Sequence, residues 1–379
     1  MKIAFYLPYT IRVYGGETRW LIEVSRRLSD LGHEIVILGL DKGSYIVRNE
    51  VKLPSKVEYL ELKSMKPFKG FPIPSHKEQH KLISMLNNTD IIYMFIFHLP
   101  NEILLTLKSR FIETPLIAGV HSLPLFKWYM KFYLALSRDL IKKIFDAFHV
   151  LNRYSRILLM THKVPHNRVY MIPNGVDTSK YYIKHNDEKF RILWTGRHHP
   201  EKGVDILLKM ITEFNIENPH MENEVEFVIT GAGPYEKYVR LLASEFSNVK
   251  YLGYVDAFTL RKMYAISHLY LVTSRAEGMP LRVLEAMASG LPVVGSKIPG
   301  IQDVVLDGVT GKLVNTGDIN AFCRDILEYY SLWKNSSEEY GRLRLRIRNY
   351  TVKNYDWSII IDRIENMFRQ VLLDRGHKF

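Results

Sequence analysis

The chain has 379 residues, 47% of them hydrophobic, which is enough for two compact domains and too long for one ordinary core. No apolar run approaches the roughly 18 residues of a membrane-spanning helix, and the start, MKIAFYLPYT, predicts a strand rather than an export signal, so we expect a soluble, cytoplasmic protein. Cys323 is alone, which excludes an intrachain disulfide, and the net charge of +12 favours an anionic partner. Nucleic acid is disfavoured as that partner, because the sequence has no RNA-binding, zinc-finger or basic-zipper signature.

Apolar β-rich runs alternate with helical stretches along the whole chain. Strands that are apolar throughout, each followed by a helix, are typical of parallel sheets covered on both faces, so the pattern predicts an α/β fold. The first covering helix is predicted at residues 17–31, where Trp20, Leu21 and Val24 begin a stripe at helical spacing and Gly32 provides a left-handed cap. The predicted strands are KIAFYL, HEIVILGL, VEYLEL, DIIYMFIF, PLIAGVH and AFHVL in the first half, and FRILWTG, EVEFVITG, VKYLGYV, HLYLVTS and LPVVGS in the second.

The chain divides in two at VYMIPNGVD, where Pro173, Asn174 and Gly175 supply turn chemistry. We therefore expect two Rossmann-like domains, residues 1–172 and 173–355, facing each other across a cleft. Ligands of open α/β sheets bind beyond the carboxyl ends of the strands, so this cleft is the predicted active site. An arginine-rich helix, GRLRLRIRN, and a final amphipathic helix, DWSIIIDRIENMFRQVL, end the pattern.

Residues 277–290, EGMPLRVLEAMASG, predict a short helix whose start can bind an anion. Pro280 suits the first helical position, since it lacks an N–H that would be unpaired there. The N–H groups of Leu281, Arg282 and Val283 would then point out of the helix end. Together with the helix dipole they would form a site for phosphate.

Two glutamates flank this predicted phosphate site. Glu277 lies just before the helix in a turn made by Gly278, Met279 and Pro280, and Glu285 lies a turn and a half inside it. A phosphate between two carboxylates that can accept from hydroxyls describes a sugar nucleotide, with the hexose at Glu277 and the ribose at Glu285. The alternative is two solvent-facing glutamates beside an ordinary helix, which the Gly-x-Pro turn and the small-residue helix face argue against.

The stretch from Glu277 to Ser296 resembles the E-x7-E signature of retaining GT-B glycosyltransferases of the group 1, or family 4, type. The resemblance covers nearly the whole chain, since other motifs follow in the family's order. It implies the GT-B fold, a helix within 356–379 that returns to the first domain, and transfer of a hexosyl group from a nucleotide diphosphate sugar. The remaining motifs are Gly15-Gly16 after the first strand, His121 at the end of PLIAGVH, IPNGVD, TGRHHPEKG with Arg197 and Lys202, GAGP, and DGVTGKLV.

Further candidate site residues lie outside the E-x7-E stretch. Gly15 and Gly16 would let backbone approach a ligand closely, although a simple turn explains a lone Gly-Gly equally well. Two cations after a strand end, Arg197 and Lys202, can hold a diphosphate, and the resemblance makes them the leaving-group clamp. The resemblance also assigns His121 to sugar positioning and transition-state stabilisation; otherwise it is a satisfied structural histidine at a strand end.

The nucleoside is expected at GAGP and YLGYVD. Gly231 and Gly233 would let it pack against backbone, and the absence of a third glycine at this spacing argues against NAD. Tyr254 and Val255 are expected near the base. A loop aspartate such as Asp256 is too common to decide between UDP and GDP.

The expected reaction needs no cofactor or metal, because no Asp-x-Asp occurs in the chain. The acceptor is expected to be a glycan or a lipid-linked saccharide reached from an anionic membrane surface, with the protein peripheral on its cytoplasmic face. Residues 122–145 and 63–81 are basic and rich in aromatics, as such a surface requires, although a core helix with lysines toward water is the alternative. Two competing functions are a sugar-nucleotide epimerase of the same fold and an idle sugar-nucleotide-binding module.

Overall fold

A computed structural model describes residues 1–12, 15–41, 53–68, 71–96, 99–121, 144–184 and 188–376, and the statements below concern those residues. The chain forms two compact units. One comprises Met1–Pro173 with Ile360–Phe379, and the other comprises Asn174–Ile359. None of the described helices is both long and apolar enough to cross a bilayer.

In the first unit, seven described strands form one parallel sheet in the order β3-β2-β1-β6-β7-β8-β9. The apolar strands supply its core, since both faces of the sheet are covered. The strands are β1 (Lys2–Tyr6), β2 (Glu34–Leu40), β3 (Val57–Leu62), β6 (Ile91–Phe95), β7 (Leu116–Val120), β8 (Ala147–Val150) and β9 (Val169–Met171), with β4 (Ser64–Phe68) and β5 (Phe71–Pro74) forming a separate antiparallel pair. The helices are α1 (Gly16–Asp30), α2 (His76–Asn87), α3 (Leu99–Lys108) and α4 (Arg153–Thr161).

In the second unit, six described strands form a parallel sheet in the order β12-β11-β10-β13-β14-β15. The strands are β10 (Phe190–Thr195), β11 (Val225–Thr230), β12 (Val249–Tyr251), β13 (Leu269–Val272), β14 (Val293–Ser296) and β15 (Gly311–Val314). The helices are α5 (Val204–Glu217), α6 (Glu236–Glu245), α7 (Ala257–Ile266), α8 (Leu281–Ala288), α9 (Ile319–Asn335) and α10 (Ser337–Tyr355). This α/β architecture with two parallel sheets confirms the predicted fold class.

The last helix, α11 (Trp357–Asp374), reaches the first unit, as the resemblance implied. The ring of Phe368 lies 6.5 Å from that of Phe5 and 6.3 Å from that of Tyr93. Glu365 Oε1 lies 3.2 Å from His33 Nε2. An amphipathic helix buries its apolar stripe in this way against the nearest open face of a core.

Each predicted strand contains an observed one, but β4, β5, β9 and β15 were not predicted. The antiparallel pair β4 and β5 includes Pro67, Pro72 and Pro74, and proline argues against a strand because it cannot donate to a ladder. The basic segment 63–81 contains this strand pair and the start of α2.

The predicted basic and aromatic surface can be followed only in part. Residues 122–143 and Lys69 lie outside the described residues. Ile144 and Phe145, which end the first predicted segment, are buried in the core. Three lysines of the second segment are exposed, namely Lys63, Lys77 and Lys81.

Candidate functional site

The second unit places Lys202 and Glu277 at the point where its strand order reverses. The order runs β12-β11-β10 on one side and β13-β14-β15 on the other, so the β10–β13 boundary is the topological switch point at which open α/β sheets bind ligands. Lys202 ends a 3₁₀ turn, Pro200–Lys202, that follows β10, and Glu277 lies in the loop between β13 and α8. Neighbouring parallel strands thus bring together two residues that are 75 positions apart in the sequence.

Lys202 and Glu277 form an ion pair. Lys202 Nζ donates to Glu277 Oε1 at 2.6 Å, and Ser274 Oγ donates to the same oxygen at 2.8 Å. The two charged side chains are 21% and 15% exposed, so the pair is partly desolvated but still reachable from solvent. The ammonium has further N–H groups for an anion, and Glu277 has a second oxygen for a hydroxyl.

The backbone of Lys202 is fixed by two buried side chains that the sequence analysis did not single out. Thr273 Oγ1 donates to the Lys202 carbonyl at 2.9 Å, and Trp194 Nε1 donates to Thr273 Oγ1 at 3.1 Å. Trp194 lies in β10 and Thr273 follows β13. The same strand pair that carries the ion pair therefore also holds the lysine in place.

The helix beside this pair begins one residue later than predicted. Pro280 is the extended N-cap of α8, with φ −77° and ψ 101°, so its assignment as the first helical residue was wrong. The Val283 N–H donates to the Pro280 carbonyl at 3.0 Å, so it is not available to a phosphate as predicted. This hydrogen bond closes a tight first turn and uses the Val283 N–H. The N–H groups of Leu281 and Arg282 precede it and are the helix-start donors that could bind a phosphate.

Glu285 is buried inside α8 and paired with a residue one turn earlier. Its Oε2 accepts from Arg282 Nη1 at 2.8 Å and from Tyr264 OH at 3.1 Å. Burial opposes the charged form of Arg282, but the facing Glu285 carboxylate, and after it the Tyr264 hydroxyl, leave the pKa of the guanidinium raised. Residues three apart on a helix are neighbours, so this contact follows from the spacing. The described structure therefore shows an internal ion pair at the position predicted to meet a ribose.

Arg197 is separate from the Lys202–Glu277 pair. Its side chain is 73% exposed and lies 3.7 Å from Glu201. His198, the next residue, is fully buried between the rings of Trp194 and Tyr251, at centroid distances of 5.7 and 5.4 Å. Neither of its ring nitrogens has a hydrogen-bond partner among the described residues, and burial lowers its pKa.

The two segments predicted to hold the nucleoside lie together. The Gly231 N–H donates to the Gly253 carbonyl at 2.8 Å, and Tyr251 OH donates to the Gly231 carbonyl at 2.8 Å. Gly231 and Gly233 both have positive φ, of 120° and 154°, so glycine suits this turn. GAGP and YLGYVD thus form one surface beyond the ends of β11 and β12.

The side chains on this surface divide into exposed and engaged groups. Tyr254 is exposed and Val255 is half-buried. Asp256 caps α7, because its Oδ1 accepts from the Thr259 N–H at 2.7 Å. This bond gives Asp256 a structural role as an N-cap, which does not depend on contact with a nucleobase.

In the first unit, Gly15 and Gly16 lie at the start of α1. Gly15 is the extended N-cap and Gly16 is the first helical residue. A Cβ atom built on either would find no heavy atom within 4 Å. Packing among the described residues therefore does not require glycine at either position.

His121 follows β7 and belongs to a buried aromatic cluster. Its Nε2 lies 2.8 Å from Tyr93 OH, and its ring centroid lies 4.5 Å from that of Trp20 and 4.9 Å from that of Phe95. Burial, and after it the nearby His149, lowers the pKa of His121 well below its usual value. The imidazole is therefore neutral at physiological pH. No local pattern in the sequence indicated Tyr93 or His149, which lie on other strands.

The arginine-rich helix α10 caps the far end of α8. Arg344, which is fully enclosed, donates from Nη2 to the Ser289 carbonyl at 3.2 Å, from Nε to the Gly290 carbonyl at 3.3 Å and from Nη1 to the Lys184 carbonyl at 3.2 Å. Arg348 donates to the Ala288 carbonyl. Cations at a helix C-terminus satisfy its last carbonyls and complement its dipole.

Replacing Arg344 with methionine is expected to lower the free energy of unfolding by about 2–4 kcal/mol, because it leaves buried carbonyls without donors. The matched control is Arg346→Met on the same helix, where the side chain is exposed and the expected change is below about 0.5 kcal/mol. Guanidinium unfolding followed by circular dichroism measures both. Equal stabilities of the two variants would contradict the capping role.

The chain thus has two units, each with a parallel sheet. In the second unit a cation, a carboxylate and a helix start lie at the switch point, where open α/β sheets bind ligands. Two family models match the chain: that of the group 1 glycosyl transferases over residues 189–331, and that of glycosyltransferase family 4 over residues 14–180. The chain belongs to these glycosyltransferases and is a transferase enzyme.

Individual relatives extend over almost the whole chain. It is 23% identical to the phosphatidyl-myo-inositol mannosyltransferase of Mycolicibacterium smegmatis over 384 residues, with 98% of this chain and 94% of that protein covered. Anabaena HepE in complex with UDP matches with a TM-score of 0.75 and 17% identity, covering 98% of this chain and all of that one. Sucrose-phosphate synthase from Thermosynechococcus elongatus matches with a TM-score of 0.76 and 17% identity, covering 98% of this chain and 99% of that one. These likenesses establish the GT-B fold.

Proposed function

We propose that this chain is a retaining, metal-independent hexosyltransferase that moves a hexose from a UDP- or GDP-sugar to an acceptor hydroxyl. The observation that carries the proposal is the Lys202–Glu277 ion pair, 2.6 Å long, at the switch point beside the start of α8. A cation suited to a diphosphate and a carboxylate suited to a sugar hydroxyl meet there. That is the junction at which a nucleotide sugar is cleaved.

The donor is assigned to the second unit by the chemistry of each group. Lys202, Arg197 and the N–H groups of Leu281 and Arg282 bind the diphosphate, because all are positive or donate hydrogen bonds. Glu277 accepts from hydroxyls of the hexose. Gly278, Met279 and Pro280 form the loop that leads into α8. Glu285 binds the ribose. The nucleoside is bound by Gly231, Gly233, Tyr254 and Val255.

The role of Glu285 requires a change of partner. Its Oε2 accepts hydrogen bonds from Arg282 and Tyr264. A ribose hydroxyl would have to replace the contact with the Tyr264 hydroxyl or use the other carboxylate oxygen. Arg282 would retain the charge balance in either arrangement.

In the first unit, His121 and the start of α1 are assigned to the proposed reaction. His121, being neutral, forms a hydrogen bond with the transferred sugar and stabilises the transition state without adding charge. Gly15 and Gly16 leave room for a ligand to approach the helix backbone.

The proposed chemical step takes place on one face of the sugar. The bond between the anomeric carbon and the phosphate oxygen breaks, and the bond to the acceptor oxygen forms on the same side. The acceptor's proton passes to the departing phosphate oxygen, which Lys202 and Arg197 stabilise. Configuration is thereby retained, and the positive side chains supply the charge stabilisation that a metal provides in other transferases.

A donor screen tests this function. UDP-glucose, UDP-galactose, UDP-N-acetylglucosamine and GDP-mannose are each added in a thermal-shift assay, since a ligand bound only by the native state raises the apparent melting temperature. The donor that binds is then incubated with candidate acceptors in EDTA, and NMR of the product reports the anomeric configuration. Retention in EDTA supports the proposal.

Other outcomes of the screen contradict it in distinct ways. An altered sugar released without acceptor would identify an epimerase. Binding without turnover would identify an idle binding module, and no binding by any sugar nucleotide would refute the donor site.

We further propose that the acceptor is lipid-linked and is reached by a protein peripheral on the cytoplasmic face of a membrane. The phosphatidyl-myo-inositol mannosyltransferase among the relatives is named for a lipid acceptor, and the net charge of +12 suits an anionic surface. Sedimentation with phosphatidylglycerol vesicles tests this. Binding that weakens with salt is expected, and no binding at low salt would overturn it.

A further inference from the structure

The side chains of His121, Tyr93 and His149 form a hydrogen-bonded network inside the first unit. His149 Nε2 lies 2.8 Å from the Ile172 carbonyl, His149 Nδ1 lies 2.6 Å from Tyr93 OH, and Tyr93 OH lies 2.8 Å from His121 Nε2. Tyr93 and His149 are fully buried, while 8% of His121 remains exposed. The network therefore runs from the buried Ile172 carbonyl to His121, the one of the three side chains that is partly exposed.

The neighbouring strands are built to allow this arrangement. Tyr93 lies in β6, His149 lies in β8, and β7 runs between them and ends just before His121. Gly119 in β7 faces the tyrosine, and a Cβ atom there would lie 2.5 Å from Tyr93 Cε1 and 2.6 Å from its hydroxyl oxygen. The phenol can cross β7 only because position 119 has no side chain.

The contact with the Ile172 carbonyl determines the direction of the other two hydrogen bonds in this network. The Ile172 carbonyl can only accept, so His149 Nε2 carries the proton. A buried histidine without a facing carboxylate is neutral, so His149 Nδ1 is an acceptor and Tyr93 OH must donate to it. The phenol oxygen then accepts from His121, which places the His121 proton on Nε2.

The reverse direction is excluded by the same chemistry. If Tyr93 donated to His121, His149 Nδ1 would carry the proton, and the Nε2 lone pair would face the Ile172 carbonyl oxygen at 2.8 Å. Two lone pairs at this distance repel each other. A doubly protonated His149 would avoid the clash but would bury an unpaired charge.

We propose that Tyr93 and His149 are positioning residues that hold His121 in the Nε2–H tautomer, so that its Nδ1 accepts a hydrogen bond from a hydroxyl of the transferred sugar. The inference rests on the proposed function for the identity of the ligand. Within the described residues Nδ1 has no hydrogen-bond partner, so it is available for this contact. A histidine whose second nitrogen is fixed in this way presents one defined group to a substrate.

NMR tests the tautomer without any reference to activity. The full chain is labelled with ¹⁵N-histidine, and two-bond correlations between ring protons and ring nitrogens are recorded at pH 7.5. The His121 signals are identified by their loss in His121→Asn. The expected pattern is a protonated Nε2 and an unprotonated Nδ1, and Tyr93→Phe is expected to abolish this single-tautomer pattern. A protonated Nδ1 in the unaltered chain would overturn the proposal.

Kinetics test whether the tautomer matters. Tyr93→Phe is expected to lower kcat about 10–100-fold with little change in the KM for the donor, as for other supporting residues around a site. The matched control is Tyr6→Phe, since Tyr6 is an equally buried tyrosine on β1 whose hydroxyl donates to Asn101 at 2.6 Å. Tyr6→Phe is expected to change kcat less than about twofold.

The two experiments separate failure of this inference from failure of the proposed function. Equal kcat values for Tyr93→Phe and Tyr6→Phe would overturn the positioning role. If the unaltered chain transfers no sugar, the proposed function fails, and the NMR pattern still decides whether Tyr93 and His149 fix the His121 tautomer.

Discussion

Lys202→Met is expected to lower kcat by about 10²–10⁴, because it removes a preorganised cation from the position where the diphosphate leaves. Glu277→Gln is expected to produce a loss of similar size. Each residue is the other's hydrogen-bond partner at 2.6 Å, so the two losses should not add in the double variant. The measurement is single-turnover transfer at saturating donor, which separates the chemical step from binding.

The chain contains a matched control for this prediction. Arg191 and Glu226 form an ion pair of 2.5 Å between β10 and β11, with side chains 16% and 15% exposed, close to the values for Lys202 and Glu277. Arg191 lies near the amino end of β10, whereas Lys202 follows its carboxyl end. Arg191→Met should therefore destabilise the fold by a similar amount while kcat stays within about twofold. Equal losses of kcat in Arg191→Met and Lys202→Met would show that general destabilisation, and not the site, causes the effect.

The sequence was sufficient for the elements that depend on local pattern. Glu34–Leu40 is a continuous apolar run that is buried after its first residue, and Val57–Leu62 is an apolar and acidic run whose buried residues are its two ends, Val57 and Leu62. Gly32, with positive φ, closes α1 as its position indicated. The α8 start was predicted one residue early because a proline N-cap and a proline at the first helical position look alike in sequence.

The features that sequence could not predict depend on contacts between distant residues. Tyr93, His149 and His121 lie on separate elements, and no local spacing indicates that their polar atoms meet. The role of Arg344 is hidden for the same reason, since an arginine-rich helix predicts a solvated face unless its partner is known. Glu285 was expected to meet a ligand; its spacing from Arg282 allows their contact, but the burial of the Glu285 carboxylate comes from tertiary packing and could not be predicted.

A tight backbone contact joins the two segments that carry the Lys202–Glu277 pair. Gly203, directly after Lys202, has φ +64°, and a Cβ atom there would lie 1.9 Å from the Thr273 carbonyl oxygen. Thr273 in turn donates to the Lys202 carbonyl at 2.9 Å, and the next residue, Ser274, donates to Glu277. Only a residue without a side chain permits this approach, because both a left-handed backbone and a backbone oxygen stand against a Cβ atom.

Gly203→Ala is therefore expected to lower the free energy of unfolding by more than about 4 kcal/mol, which is larger than backbone strain alone produces. Gly308 separates the two causes, because it lies in the same unit with φ +74° and a Cβ atom there would meet nothing within 4 Å. Gly308→Ala should lose only about 1–2 kcal/mol, the cost of a left-handed alanine. Guanidinium unfolding followed by tryptophan fluorescence compares the two variants.

Because the clash would push Thr273 away from Lys202, Gly203→Ala should also lose transfer activity at temperatures where it remains folded, whereas Gly308→Ala should retain it. Equal stability losses in the two variants would mean that the loop after β13 yields to a side chain, and that the ion pair does not depend on this contact.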